Sequence, residues 1–297
     1  MRNNDKKIWN TIANIILAFF TISALVPFIL LIIASITDNS WATANGFSFF
    51  PAKWSTDAYL YILNQWNTIG HAYLMTIIVT VIGTLLSLLG TSGFAYTISR
   101  DNLPGVRILS FLCIFTMLFN GGIVSSYYTW VNIFHIRDTF AALILPGLLM
   151  NAFNVILVKN YFKNSVPPSL IEAARIDGAT EFMTYRRIVL PLSVPILATI
   201  GLMTGIAYWN DWTNGLYFLT ARNGRQFYTI QLILNSINES ISFLSANSNI
   251  SGLANVQFPT TTVRMAIAVV GILPVMIVYP FFQKYFVKGI TLGGVKE

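Results

Sequence analysis

The sequence predicts an all-α membrane protein with six transmembrane helices. Only 10% of its 297 residues are charged and 55% are hydrophobic, whereas about 25% of the residues in a soluble domain are charged. The hydrophobic residues form long blocks without Asp, Glu, Lys or Arg, and each block is near or above the roughly 18–20 residues that cross a bilayer. Lys and Arg lie mainly between alternate blocks. These observations indicate a multi-pass protein with a single transmembrane domain over 1–297.

The apolar blocks define the spans. Arg2, Lys6 and Lys7 precede the first block as in a signal peptide, but the block is too long for one and is interpreted as an uncleaved span. In the third block Asn120-Gly121-Gly122 interrupts the apolar run, so the span could instead end there, followed by a short amphipathic helix over 123–134. Pro146 and Pro195 are expected to kink their spans. The spans are placed at about 11–36, 70–98, 108–130, 139–158, 192–219 and 264–286.

The distribution of positive charge predicts the orientation. Thirteen of the 18 Lys and Arg residues lie before the first span, after the second, between the fourth and fifth, or after the sixth. The other side has five, balanced by five acids. The positive-inside rule therefore places both termini and the 159–191 loop in the cytoplasm, and the 220–262 loop outside. The excess positive charge follows from this topology and does not indicate a nucleic-acid partner.

The loop over 159–191 has the most informative polar sequence. Ser169 followed three residues later by Glu172 predicts a capping box, and Pro167-Pro168 prevents extension of the helix in the N-terminal direction. A helix is therefore expected to begin at about Leu170, with Ser169 as its cap.

The rest of this loop predicts a bend between two helices. Ala173 and Ala174 favour helix and have small side chains, so another protein can approach the backbone there. Gly178 permits a sharp turn. A second helix over about 179–188 would end at Leu190-Pro191, where the chain re-enters the bilayer, and would place three apolar residues on one face: Phe182, Tyr185 and Val189.

The same residues resemble a known motif. The EAA motif is shared by the permease subunits of binding-protein-dependent ABC importers, and this loop matches it at Glu172-Ala173-Ala174, at Gly178, and at Ile188-x-Leu190-Pro191. The resemblance implies the fold of a type I ABC importer transmembrane domain. It also implies that the first loop helix docks into a cleft of a separate ATPase subunit. The implied coupling residues are Glu172, Ala173, Ala174, Asp177 and Gly178.

Further matches resemble the carbohydrate-uptake branch, in particular the smaller six-span permease of maltose-type importers. They are Ala174-Arg-Ile-Asp177-Gly178-Ala179, Trp209-Asn210-Asp211-Trp212, and the ending from Tyr279-Pro280 to Lys296. The segment over 117–123 is similar to a subgroup that imports complex oligosaccharides. The resemblance implies four kinds of partner: a second related permease, two ATPase subunits, an extracytoplasmic sugar-binding protein and the sugar itself. It also implies a bacterial inner or plasma membrane, with membrane lipid around the chain.

The energy source and the class of solute follow partly from what the sequence lacks. It contains no GxxxxGK[ST] phosphate-binding loop, so ATP and Mg²⁺ are expected on the ATPase partner and no cofactor is expected here. A proton- or sodium-coupled transporter would need ionisable residues inside the spans. An enzyme or a metal site would need more than His71, His135 and Cys113. An importer of an amino acid, peptide or phosphate is the remaining alternative.

Polar residues inside the predicted spans are candidates for lining the sugar path, because a hydroxylated solute needs hydrogen-bond partners there. The alternative is that such residues hold helices together or form an interfacial aromatic belt. The candidates are Asn151, Asn154, Thr204, Tyr208, Asn210 and Asp211.

The outer loop over 220–262 is expected to meet the sugar-binding protein by the same resemblance. It is rich in Asn and Ser. A solvated connection is the alternative, although loops of this length usually have a function or are disordered.

Overall fold

The computed structural model describes residues 3–100, 103–246 and 261–294, most of which are helical. In this part of the chain, the only β-type pairing is an isolated bridge between Thr37 and Trp54. The α-helices are α1 (Asn3–Ser35), α2 (Asn39–Asn45), α3 (Asp57–Asn64), α4 (Trp66–Ser99), α5 (Val106–Leu118), α6 (Gly122–Tyr128), α7 (Ala152–Ser165), α8 (Pro168–Ile176), α9 (Glu181–Thr184), α10 (Leu190–Leu192), α11 (Val194–Trp209), α12 (Thr213–Phe218), α13 (Ile230–Ala246) and α14 (Thr261–Gly294).

Three of these helices are long and apolar enough to cross a bilayer without a break. They are Lys7–Ser35 within α1, all of α4, and Thr261–Phe281 within α14. They correspond to the predicted first, second and sixth spans. Each was predicted from an uninterrupted apolar block, because length and composition alone decide whether a helix can span the hydrocarbon layer.

The predicted third and fifth spans are interrupted. In the third, α5 ends at Leu118 and α6 begins at Gly122, so the predicted alternative of a break at Asn120-Gly121-Gly122 is confirmed. The fifth was predicted as a span over 192–219, and it is not one continuous helix. It consists of α11, which ends at Trp209, and α12, which begins at Thr213. The chain also bends by 80° just before α11, between the helical segments Glu181–Leu192 and Val194–Trp209.

The predicted fourth span, over 139–158, is not one helix, and the prediction of a simple kink at Pro146 is wrong. A short 3₁₀ turn covers Phe140–Leu143, and α7 begins only at Ala152. Two carbonyl groups between them accept hydrogen bonds from distant side chains. The Tyr208 hydroxyl donates to the Ile144 carbonyl at 2.9 Å, and Asn214 Nδ2 donates to the Pro146 carbonyl at 3.0 Å. Such bonds permit irregular backbone inside a membrane protein.

The described chain forms two compact units. Among the described residues, the first contains 3–70, 234–246 and 261–273, and the second contains 71–100, 103–233 and 274–294. In the first unit, the Asp38 carboxylate caps α2 by accepting from the Trp41 amide at 2.9 Å. The Ser35 and Tyr59 hydroxyls bond at 2.8 Å and join the end of α1 to α3.

The second unit packs α4 closely against α11. A Cβ atom on Gly83 would lie 2.7 Å from the ring of Tyr208, so only glycine allows this approach. Two apolar clusters surround the contact. One contains Tyr208 and Phe218 with Leu143 and Ile144. The other fills the space between the end of α4, α7 and the 159–191 loop, with Ala95, Ile98, Val155, Val158, Phe162, Val166 and Val189 among its members.

The predicted outer loop contains a helix of 17 residues, α13. Its sequence has apolar residues at helical spacing, namely Ile230, Ile233, Leu234 and Ile237. This spacing predicts a helix, which the sequence analysis did not identify. Residues 247–260 of that loop lie outside the described residues, as do the last three residues of the chain.

Candidate coupling site

The first loop helix, α8, is started by its prolines. Pro167 is the N-cap residue and Pro168 occupies the first helical position. Proline suits that position because its φ is already helical and the missing N–H has no helical partner there. Ser169 therefore lies inside the first turn, and no side chain caps the helix. The prediction that Ser169 caps a helix beginning at Leu170 is wrong, because Pro168 starts it two residues earlier.

The end of α8 is fixed by Gly178. Its φ is +77°, in the left-handed region that L-residues rarely adopt. The Gly178 amide donates to the Arg175 carbonyl at 3.0 Å, and the Ala179 amide donates to the Ala174 carbonyl at 2.9 Å. This pair of bonds is a Schellman motif, which satisfies the last carbonyls of a helix. The predicted sharp turn at Gly178 is thus present.

The two faces of α8 differ in chemistry. Ile171 on the inner face packs against the apolar cluster that contains Val166 and Val189. Ala174 is only 8% exposed, so the expectation that both alanines are open to a partner is wrong for Ala174. Its side chain lies on the inner face, whereas Ala173 is open. The predicted coupling residues that lie on the exposed surface are Glu172, Ala173, Asp177 and Gly178.

An apolar surface accompanies these residues at the end of α8. Ile176 is 86% exposed and Phe182, just beyond the turn, is 69% exposed. Large apolar side chains at such exposure in a short helical loop indicate a surface for another protein.

The second loop helix begins at Glu181, two residues later than predicted. The Thr180 hydroxyl caps it by accepting from the Met183 amide at 3.2 Å. From Tyr185 to Val189 the helix has π-type turns. Val189 is buried, but Phe182 is exposed, so the predicted shared face of Phe182, Tyr185 and Val189 is wrong. A π-turn changes the angular spacing of the side chains, which sequence periodicity of 3.6 does not anticipate.

The side chain of Glu181 connects three segments of the chain. One carboxylate oxygen accepts from the Tyr96 hydroxyl at 2.6 Å and from Arg100 Nη2 at 3.2 Å, both at the end of α4. The other accepts from Arg175 Nη2 of α8 at 2.7 Å. The Tyr96 hydroxyl foremost, and then Arg175 and Arg100, lower the pKa of Glu181 from 4.5 to about 2, against the opposing effect of partial burial. The carboxylate is therefore ionised at neutral pH.

Two further contacts join α4 to the second loop helix. The Ser92 and Tyr185 hydroxyls lie 2.8 Å apart, and the rings of Tyr96 and Tyr185 are 5.0 Å apart. The sequence interpretation missed all of these contacts. The spacing of Ser92, Tyr96 and Arg100 by four residues was the available signal.

A cavity of about 270 Å³ lies beside this cluster. It is bounded by the end of α4, the end of α7 and the inner side of α8, and its lining includes Arg100, Lys163, Ile171, Glu172 and Arg175. The α8 helix is thus packed on only part of its inner side.

Three of the residues predicted to line the sugar path are buried and form hydrogen bonds within the protein. Asn154 and Thr204 are buried, and Asn154 Nδ2 donates to the Thr204 hydroxyl at 3.4 Å. Tyr208 is buried and bonds the Ile144 carbonyl, as described above. These contacts agree with the alternative interpretation, in which the polar residues hold helices together.

The other three path candidates lie at helix ends. Asn151 is the N-cap of α7, and its side-chain oxygen accepts from the Phe153 amide at 2.9 Å. Asn210 is the exposed residue that ends α11. One carboxylate oxygen of Asp211 accepts from the Thr213 and Asn214 amides at 3.1 and 3.2 Å, at the start of α12. The structure thus brings Asn154 to Thr204 and leaves Asn151 and Asn210 at the surface.

Comparison with known proteins shows a family match that covers most of the chain. Residues 89–292 match the model of the family described as binding-protein-dependent transport system inner membrane component. A polygalacturonan/rhamnogalacturonan transport system permease protein of Bacillus subtilis (strain 168) is 39% identical, over 94% of this chain and 95% of that protein. An arabinooligosaccharides transport system permease protein of Halalkalibacterium halodurans is 27% identical over the full length of both.

A solved structure is similar as well. The crystal structure of a bacterial ABC transporter involved in the import of the acidic polysaccharide alginate contains a chain that aligns with a TM-score of 0.77 and 32% identity. The alignment covers 96% of this chain and 99% of that one.

Proposed function

We propose, because this chain belongs to the family of inner membrane components of binding-protein-dependent transport systems, that its α8 helix receives the movement of an ATPase subunit. The chain is a permease subunit of an ABC sugar importer and has the type I transmembrane fold. Proteins of this kind work in the membrane with a second permease, an ATPase and a binding protein. The named relatives support a sugar and not the alternative of an amino acid, peptide or phosphate.

The observation that carries the proposal is the exposed surface at the end of α8. Ile176 and Phe182 present large apolar side chains to solvent, beside the carboxylate of Glu172 and the open Ala173. Burial of such side chains against a partner contributes roughly 1.5–3 kcal/mol each. The left-handed Gly178 holds the two parts of this surface at a fixed angle. Without a partner, the two apolar side chains would stay exposed to water, which is unfavourable.

The finer features of the proposal follow from this assignment. The 159–191 loop and both termini face the cytoplasm, and two ATPase subunits bind ATP and Mg²⁺ outside this chain. The substrate is an oligosaccharide derived from an acidic polysaccharide, as two of the relatives' names suggest. Asn151, Asn210 and Asp211 are the remaining candidates for contact with the sugar, whereas Asn154, Thr204 and Tyr208 hold helices together.

Cysteine labelling tests both the docking and its sidedness. Cys113 is the single cysteine, so Cys113→Ser provides a background into which Ile176→Cys is introduced. We expect a membrane-impermeant maleimide to label Ile176→Cys only from the cytoplasmic face, and added ATPase to slow the labelling at least tenfold. Phe50→Cys, at an exposed position of the segment after α1, is the control and should react from the opposite face at an unchanged rate. Labelling of Ile176→Cys that the ATPase does not slow would contradict the proposal.

A further inference from the structure

The end of α4 carries a polar stripe that meets the second loop segment in register. Ser92 and Tyr96 are four residues apart and share one face of α4, and Arg100 directly follows the last residue of that helix. Glu181 and Tyr185 are also four apart. Ser92 bonds Tyr185, Tyr96 bonds Glu181, and Arg100 bonds Glu181. The ring of Tyr96 also lies 5.0 Å from the ring of Tyr185, tilted by 47°. We call this set of five residues the polar zipper.

The zipper is strongest where it is least exposed. Ser92 and Tyr96 are buried, and the Arg100 side chain is 11% exposed. The Arg100 guanidinium also donates to the Tyr96 hydroxyl at 2.8 Å. Charge-assisted bonds of buried groups are stronger than bonds at the surface, and removal of one partner would leave the others unsatisfied. The α4 side of the contact is thus fixed firmly.

Arg175 extends the zipper to the docking helix. Its guanidinium donates to the second oxygen of Glu181 at 2.7 Å, and both side chains are nearly half exposed. Exposed ion pairs contribute only about 0–1 kcal/mol. By itself this link adds little stability, but it bonds α8 directly to the carboxylate that Tyr96 and Arg100 also hold.

Space for movement lies next to this weak link. The cavity of about 270 Å³ separates part of α8 from the ends of α4 and α7, and Arg100, Arg175 and Glu172 line it. The cavity leaves α8 room to shift against the ends of α4 and α7.

We infer that Glu181 is a positioning residue that transmits displacement of the α8 docking helix to the transmembrane helix α4 through the polar zipper. The inference rests on the proposed function, since it presumes that α8 docks an ATPase. Glu181 acts through Arg175 on one side and through Tyr96 and Arg100 on the other. Because one carboxylate is bonded both to α8 and to the end of α4, a displacement of α8 can pass to α4 as a helix shift.

The test compares ATP hydrolysed with sugar imported by the complete importer in proteoliposomes. Glu181→Gln keeps the shape of the side chain but replaces one acceptor oxygen with an NH₂ group. That group cannot accept a hydrogen bond from the donors on its side of the carboxylate, which are Arg175 on one side and Tyr96 with Arg100 on the other. We expect it to bind the ATPase normally and to raise the number of ATP molecules hydrolysed per sugar by roughly five- to tenfold. Arg187→Gln, which removes an exposed charge from the same loop, is the matched control and should leave the ratio unchanged.

A double variant separates transmission from general destabilisation. Arg100→Gln alone should also raise the ratio, and Arg100→Gln/Glu181→Gln should be no worse than Glu181→Gln, because both changes break one path. Independent effects that multiply would overturn the inference. So would an unchanged ratio in Glu181→Gln.

ATPase binding distinguishes the two failures. If wild-type α8 is not protected by the ATPase, the proposed function fails. If protection is normal in Glu181→Gln and the ratio is also normal, the inference alone fails. Tyr185→Phe, which removes one hydroxyl and keeps the ring, provides a folded variant should Glu181→Gln not assemble, and a raised ratio is again the expected result.

Discussion

Replacement of Gly178 is the most quantitative test of how the docking helix is set. A Cβ atom at this position would meet nothing within 4 Å, so Gly178→Ala causes no clash. Its cost is that of an L-residue at φ +77°, about 1–2 kcal/mol. If docking requires the capped conformation, this energy reduces affinity for the ATPase by roughly 5- to 30-fold, since 1.4 kcal/mol is a factor of ten. Gly178→Asn should lose less, because Asn tolerates the left-handed region.

The chain offers a matched control for this strain. Gly105, which precedes α5, has φ +81° and also has nothing within 4 Å of an added Cβ. Gly105→Ala therefore carries the same backbone cost outside the docking surface. The assay is the equilibrium affinity of purified ATPase for the permease in nanodiscs. Equal losses in the two alanine variants, or none in Gly178→Ala, would refute the reasoning.

Three further predictions concern the polar contacts. Because the folded-state pKa of Glu181 is lowered from 4.5 to about 2, its stabilisation is present above about pH 4.5. The difference in thermal stability between wild type and Glu181→Gln should therefore shrink as pH falls toward 2, and a difference that grows would contradict the assignment. Tyr208→Phe should lower the free energy of unfolding by about 1 kcal/mol with an unchanged KM for sugar, whereas a raised KM would indicate a path residue. Asn151→Ala should cost about 1 kcal/mol through the lost α7 cap, measured by thermal unfolding, and an unchanged stability would argue against that cap.

Features that depend on local composition were predictable from the sequence. The apolar blocks of α1, α4 and α14 contain enough residues to span the bilayer, and their helices follow from that alone. The break at Asn120-Gly121-Gly122 was visible because these residues favour turns. Gly178 was identified because a helix that ends before a glycine commonly uses its left-handed conformation.

Features that depend on distant residues were not predictable in this way. The irregular backbone after Ile144 is stable because Tyr208 and Asn214, more than 60 residues later, satisfy its carbonyls. No local pattern distinguishes this from a kinked helix at Pro146. Glu181 was missed for the same reason, because Tyr96 and Arg100 lie 85 and 81 residues away.

The start of α8 shows a competition between two local signals. Ser169 and Glu172 have the spacing of a capping box, but Pro168 is already suited to the first helical position. The proline determined the boundary and left Ser169 inside the first turn. Capping patterns next to a proline pair are therefore poor guides to a helix start.

The most direct test of the account is sugar uptake by proteoliposomes that contain this chain, its partner permease, the ATPase and the binding protein. With ATP on the ATPase side and no ion gradient, we expect uptake of an oligogalacturonide, and Glu172→Arg should abolish it while the complex still assembles. Uptake that needs no ATP and follows an imposed proton or sodium gradient would contradict the account.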